Sequence, residues 1–205
     1  MPERPGGQTR EHDDGNTPID PDERDGLIPS HIQTRAELNQ WEALNISRAQ
    51  EWAFGRRNLD LLSVEALQEL HRRMFDSTWS WAGGFRRSDK SISPCHWTQV
   101  PVAMRDLVDD TRAQHGTGDK TPESLDDIAM RFHHRLVRVH PWANGNGRHA
   151  RLATDLLLRG WNRPVFTWGG GADLAREGRA RGNYMEALRA ADSGNFDPLR
   201  TFVRS

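Results

Sequence analysis

From Leu125 to Val139 the apolar residues Leu125, Ile128, Phe132, Leu136 and Val139 recur at the spacing of one helix face, and the pattern stops at His140-Pro141. Proline disfavours helical geometry in the residue before it, so the helix has to end there. Thr121-Pro122-Glu123 starts that helix, with a hydroxyl to cap it, a proline suited to its first turn and an acid near its positive end. Beyond the turn Asn144-Gly145-Asn146-Gly147 a new helix begins near Gly147 and carries Leu152, Leu156 and Leu157 to Gly160. Two amphipathic helices with so short a break between them commit the chain to a core built by helix packing.

The remaining segments agree. A stripe of Leu38, Trp41, Asn45, Ala49 and Trp52 marks a helix from Thr34 to about Arg57, with Glu42 inside its buried face. Ser63 caps a second helix, with Leu67, Leu70 and Phe75 on its apolar side, and further helices are predicted over about 101–113, 172–191 and 197–204. The run from Trp79 to Pro101 holds Gly83-Gly84, Pro94 and a short alternation at Ser91-Ile92-Ser93, and reads as a loop or short β-hairpin. The predicted fold class is all-α with one hairpin-like insertion. Residues 1–26 hold Pro, Gly and charge with almost no apolar side chains and read as a disordered or loosely docked arm; residues 27–205 read as one domain, in keeping with a chain of 205 residues.

A formal net charge of −1 supplies no global attraction for nucleic acid or an anionic membrane, so neither is an expected partner. Cys95 is the only cysteine, which excludes a disulfide framework and a thiolate metal cluster and suits a reducing cytoplasm. No segment is long and apolar enough to span a bilayer. His133, His134, His140 and His149 lie close in sequence, but His134 is expected to project opposite the buried stripe, and no pair has the spacing of a helical metal site.

The densest chemistry lies between His140 and Arg151. Gly145 and Gly147 allow a turn whose backbone N–H groups converge, and the helix that follows adds its own unpaired N–H groups and the positive end of its dipole. That is a place for an anion. Arg148 and Arg151, three apart and hence on one face, offer forked donors for further phosphate oxygens. The imidazole of His140, with an ordinary pKa of about 6.5, is suited to take a proton from an attacking hydroxyl.

This segment resembles the signature of the Fic (fido) family, His-Pro-Phe-x-Asp/Glu-Gly-Asn-Gly-Arg-x-x-Arg, and departs from it at Trp142 and Asn144. Trp81-Ala82-Gly83-Gly84-Phe85-Arg86 resembles the approach to the family's flap hairpin, and residues 184–188 with Asp192-Ser193-Gly194-Asn195 resemble its C-terminal nucleotide-side segment. Residues 34–205 together resemble the bacterial subgroup called mobile mystery protein B. The resemblance implies a Fic fold, a helical bundle with a short β-hairpin flap, and a protein adenylyltransferase that passes AMP from ATP, with Mg2+, to a Ser, Thr or Tyr hydroxyl of a target protein. It implies His140 as general base, Gly145, Asn146 and Gly147 as the anion hole, Arg148 holding the phosphate chain and Arg151 its distal end. Tyr184 and Asp192 would border the adenosine, and the stretch from Arg86 to Gln99 would hold the target in strand-like pairing. The subgroup is also thought of as travelling with a helix-turn-helix partner.

Two departures from the family pattern bear on mechanism. Asn144 stands where the family has an acid that helps hold Mg2+, and an amide oxygen supplies a dipole without charge, so a weaker metal grip is expected. Many family members are restrained by a helix bearing Ser/Thr-x-x-x-Glu-Gly/Asn, whose glutamate pairs with the motif's second arginine. Ser47 to Glu51 has that spacing, but Trp52 replaces the small residue and Glu51 points away from the stripe; Glu42 lies in the stripe and is expected to reach Arg151. Rival readings of the same residues are another nucleotide or phosphoryl transfer, removal of AMP, and a weakly catalytic nucleotide-binding regulator of toxin–antitoxin type.

Overall fold

The computed structural model describes residues 26–32, 34–56, 59–118, 120–170, 174 and 178–205, so the expected N-terminal arm, apart from Gly26, lies outside the described residues. Among those described, seven α-helices follow in order: α1 (Arg35–Phe54), α2 (Val64–Phe75), α3 (Val100–Thr117), α4 (Pro122–Val139), α5 (Asn146–Gly160), α6 (Arg179–Asp192) and α7 (Asp197–Val203). A 3-10 turn, Trp97–Gln99, leads into α3. None of these helices is long and apolar enough to cross a membrane.

Helix starts obey the capping logic of the sequence. Thr34 accepts from the Glu37 N–H at 3.2 Å while the Glu37 carboxylate accepts from the Thr34 N–H at 2.9 Å, closing a capping box on α1. Ser63 and Thr121 accept from the N–H groups of Ala66 and Ser124 at the starts of α2 and α4. The end of α4 also falls where proline requires, at His140, whose φ of 51° and ψ of 59° turn the chain out of the helix.

α4 is the axis of the bundle. It packs on α3, α5 and α7, while α1 packs on α2 and α6 on α7. One face, with Phe132 and Leu136, joins a core built from Leu67, Leu70, Met74, Phe75, Met104, Leu107 and Leu157. The opposite face, with Ala129 and Met130, joins a second core of Leu158, Phe166, Tyr184, Leu188, Leu199 and Phe202. His134 corrects the expectation of a helix with one buried stripe: it is 5% exposed, because α6 covers that side and its Asp192 pairs with the His134 ring at 2.9 Å.

Residues 86–99 hold no strand; they run through turns into the 3-10 turn. The expected hairpin is replaced by side-chain bonding: Ser93 Oγ donates toward the carbonyls of Arg138 and Val139 at the end of α4 and accepts from the Cys95 N–H at 3.2 Å. Pro94 contributes no ladder donor, and an isolated pair of strands is marginal in water. Among the described residues the β-type pairing is a single antiparallel bridge between Leu27 and Trp79.

Candidate active site

The loop between α4 and α5 is held by groups that the local sequence does not announce. Arg86, only 3% exposed, donates from Nε to the carbonyl oxygen of His140 at 2.7 Å and from its other nitrogens to the carbonyls of Ser88 and Cys95, while its own N–H donates to Pro141 at 2.9 Å. One guanidinium therefore fixes both the left-handed backbone of His140 and the segment lying across it. Trp142 is fully buried, stacks on His71 with centroids 4.4 Å apart, and donates from its indole N–H to Nδ1 of His149 at 3.2 Å.

Both buried histidines act as braces in a single tautomer. Gly83 N–H donates to His71 Nδ1 at 3.0 Å, so His71 carries its proton on Nε2 and donates to the carbonyl of Asn144 at 3.1 Å. His149, accepting from Trp142, donates from Nε2 to the carbonyl of Leu67 at 3.0 Å. Burial, first of all, lowers the pKa of His71 well below its ordinary value and that of His149 to about 4, which keeps both rings neutral.

His140 is likewise buried, and burial, reinforced by the charges of Arg86 and Lys90, pushes its pKa down to about 3. Burial thus keeps the ring neutral, and a neutral imidazole carries one acceptor nitrogen. After it, Gly145 opens α5 with φ of 78°, a left-handed conformation, and a Cβ there would drive into the Phe75 ring. Asn146 folds its side chain back on Trp142, accepting from its N–H and donating to its carbonyl, both at 2.9 Å. No side chain caps α5, so the backbone N–H groups at the helix start are the groups there that could meet an anion.

His140, Asn144 to Arg148, Arg151, Tyr184 and Asp192 all line one cavity of about 640 Å³, so every residue assigned from the sequence to the base, the phosphate grip or the adenosine border shares a single space. The Arg151 guanidinium lies over the Tyr184 ring, 5.7 Å from its centroid, and the Tyr184 hydroxyl meets His133 Nε2 at 2.9 Å. Glu42 reaches Arg148 rather than Arg151: its carboxylate, 2% exposed, accepts from Arg148 Nη1 at 2.7 Å and from the Trp79 indole at 2.8 Å. Although the two arginines share a face of α5, Arg148 meets Glu42 of α1 while Arg151 lies over Tyr184 of α6. Glu51 is exposed and does not line the cavity.

Asn144 does not fit a divalent cation. Its Oδ1 accepts from the Gly145 N–H at 2.6 Å, and its Nδ2, buried and without a hydrogen-bond partner, is a donor. Leaving such a group unsatisfied costs about 1–3 kcal/mol. Among the described residues no three His, Cys, Asp or Glu side chains converge to supply other ligands.

Residues 61–158, which contain the whole loop and both arginines, match the Fic/DOC family. The chain carries a Fic/DOC family domain. It is 31% identical over 146 residues to a protein adenylyltransferase Fic of Nematostella vectensis, an alignment covering 69% of this chain and 31% of that relative. The chain thus spans about a third of that curated relative's length. The Fic fold extends beyond the matched residues: the BepC protein of Bartonella tribocorum, solved with bound AMPPNP, superposes with a TM-score of 0.67 at 15% identity over 88% of this chain and 95% of that one. A Fic domain of a putative cell filamentation protein from Bartonella quintana, solved with bound ADP, superposes with a TM-score of 0.61 at 18% identity over 85% and 86% of the two chains.

Sequence reasoning missed Arg86, His71 and His149 as braces of this Fic/DOC site. Arg86 was legible only as the end of the stretch that resembles the flap approach and the start of the one expected to hold the target. His71 and His149 are only apolar-face positions in helical patterns, and nothing local distinguishes a bracing imidazole there from core filling.

Proposed function

We propose that this Fic/DOC domain is a protein adenylyltransferase that transfers AMP from ATP to a Ser, Thr or Tyr hydroxyl of a target protein. The observation that carries it is the shared cavity, in which a neutral, acceptor-competent His140 stands beside the N-terminus of α5 and its two arginines. The target oxygen attacks the α-phosphorus as its proton passes to His140, and the bond to the β-phosphate bridging oxygen breaks to release pyrophosphate. Backbone N–H groups of residues 145–147 and the guanidinium of Arg148 stabilise the charge on the phosphates, and Arg151 receives their distal end. Tyr184, Met185 and Leu188 with Asp192 form the wall for the nucleoside. Exposed Ile92, beside Ser91 and Ser93 on the cavity rim, offers the target segment an apolar contact. The name of the Nematostella relative and the AMPPNP and ADP bound in the Bartonella structures support ATP as the donor.

The same reading makes Glu42 a restraint, since it occupies the guanidinium that the phosphates need; Glu51 has no such reach. The resemblance of residues 34–205 further supports proposing the mobile mystery protein B subgroup, a cytoplasmic location and a helix-turn-helix companion. Incubation with ATP labelled at the α- or γ-phosphate, alongside His140→Ala, tests the activity. Protein label from α alone, lost in His140→Ala, is the expected result; label from γ alone means phosphoryl transfer instead.

A further inference from the structure

We propose that this cavity takes its nucleotide as the metal-free polyphosphate, with arginines neutralising the charge and the Asn144 amide donating directly to a phosphate oxygen. The inference rests on the reading that a nucleotide's phosphates lie at the start of α5. Three observations carry it.

The first is the orientation of the Asn144 amide. The Gly145 N–H, 2.6 Å from Oδ1, requires an oxygen there, because a flipped amide would set two donors against each other. The atom left over is therefore Nδ2, a positively polarised donor that repels a cation and seeks an anion.

The second is that Nδ2 is sheltered from water with no partner, on a residue that is itself 8% exposed and lines the cavity. The large majority of buried donors in folded proteins are satisfied, so an orphan on a cavity-lining residue points to a ligand's acceptor reached by a small turn of the side chain. A phosphate oxygen seated at the α5 N-terminus supplies that acceptor.

The third is the charge of the walls. Among the described residues, Arg138, Arg148, Arg151, Arg181 and Arg189 line the cavity with one carboxylate, Asp192, which pairs with His134 and Arg138, while Glu42 behind the wall pairs with Arg148. Guanidinium groups supply here the positive charge that a divalent cation supplies to a polyphosphate elsewhere. An aspartate at position 144 would remove the donor and add a charge that repels phosphate unless a cation lies between them.

Calorimetric binding of AMPPNP to the folded wild-type chain and to Asn144→Asp, in excess EDTA and in excess Mg2+, tests the inference. For the wild type the affinity in EDTA should match that in Mg2+ to within about threefold, a difference under 1 kcal/mol. For Asn144→Asp the affinity in EDTA should fall by about tenfold or more, the loss of a charge-assisted hydrogen bond, and Mg2+ should restore it. Wild-type binding that needs Mg2+ overturns the metal-free inference while leaving the nucleotide reading intact. No AMPPNP binding in either buffer overturns the nucleotide reading itself, and this inference with it. The wild-type comparison decides the matter even if Asn144→Asp folds poorly.

Discussion

Arg86 Nε donates to the carbonyl oxygen of His140 at 2.7 Å, joining residues 54 positions apart. His140 sits in a left-handed backbone conformation that an L-residue adopts at a cost, and Arg86 holds it there while bonding the carbonyls of the segment that crosses it. Arg86→Met should lower AMP transfer about a hundredfold, the penalty for displacing a reacting group by about 1 Å. It also removes a charge that adds to burial in depressing the His140 pKa, so the acid limb of the pH–rate profile should move up. Arg86→Lys, which keeps the charge but not the fork, should leave that limb in place. Steady-state rates across pH separate the two variants.

Glu42 holds the Arg148 guanidinium at 2.7 Å, the group that the proposed function assigns to phosphate. Glu42→Gln keeps an acceptor for the Trp79 indole but removes the charge, and should tighten ATP binding and raise automodification by about tenfold, the scale of one charged hydrogen bond. Direct titration of ATP and labelling from its α-phosphate measure both effects. Unchanged values would show that Glu42 only braces the fold.

Gly145→Ala places a methyl group against the Phe75 ring at a positive φ. Strain and overpacking together should cost about 2–4 kcal/mol, read as a lower urea midpoint with an unchanged slope. Transfer activity should fall with it, because the turn presents the anion-binding N–H groups.

Four buried imidazoles make the domain acid-sensitive. His71, His133, His140 and His149 all have pKa values lowered first by burial, the last three to about 3, about 3 and about 4. The unfolded chain therefore binds more protons than the folded one below about pH 6.5, so stability falls as pH falls from there toward 4, by up to about 1.4 kcal/mol per pH unit for each ring. Asp155 opposes this: burial raises its pKa to about 6, and the folded state gains its proton first. Four rings outweigh one carboxyl, so the melting temperature at pH 5 should lie well below that at pH 7.

Much of this molecule is local in origin. Capping residues, helical periodicity, the stop at His140-Pro141 and the glycine turn each act within one or two turns of chain, and so the helices, the anion-binding loop, His140 and the two arginines are all legible before folding is considered. The run from Trp79 to Pro101, legible as a loop or short β-hairpin, takes the loop form because its short alternation is overridden by Arg86 and Ser93 bonding to the end of α4. Partner choice is another matter. That Glu42 meets Arg148 and not Arg151, and that two histidines brace Trp142 and Asn144, depend on how α1, α2 and α5 pack. Residue spacing along one helix names the face a side chain occupies; the crossing of helices distant in sequence selects what that face meets.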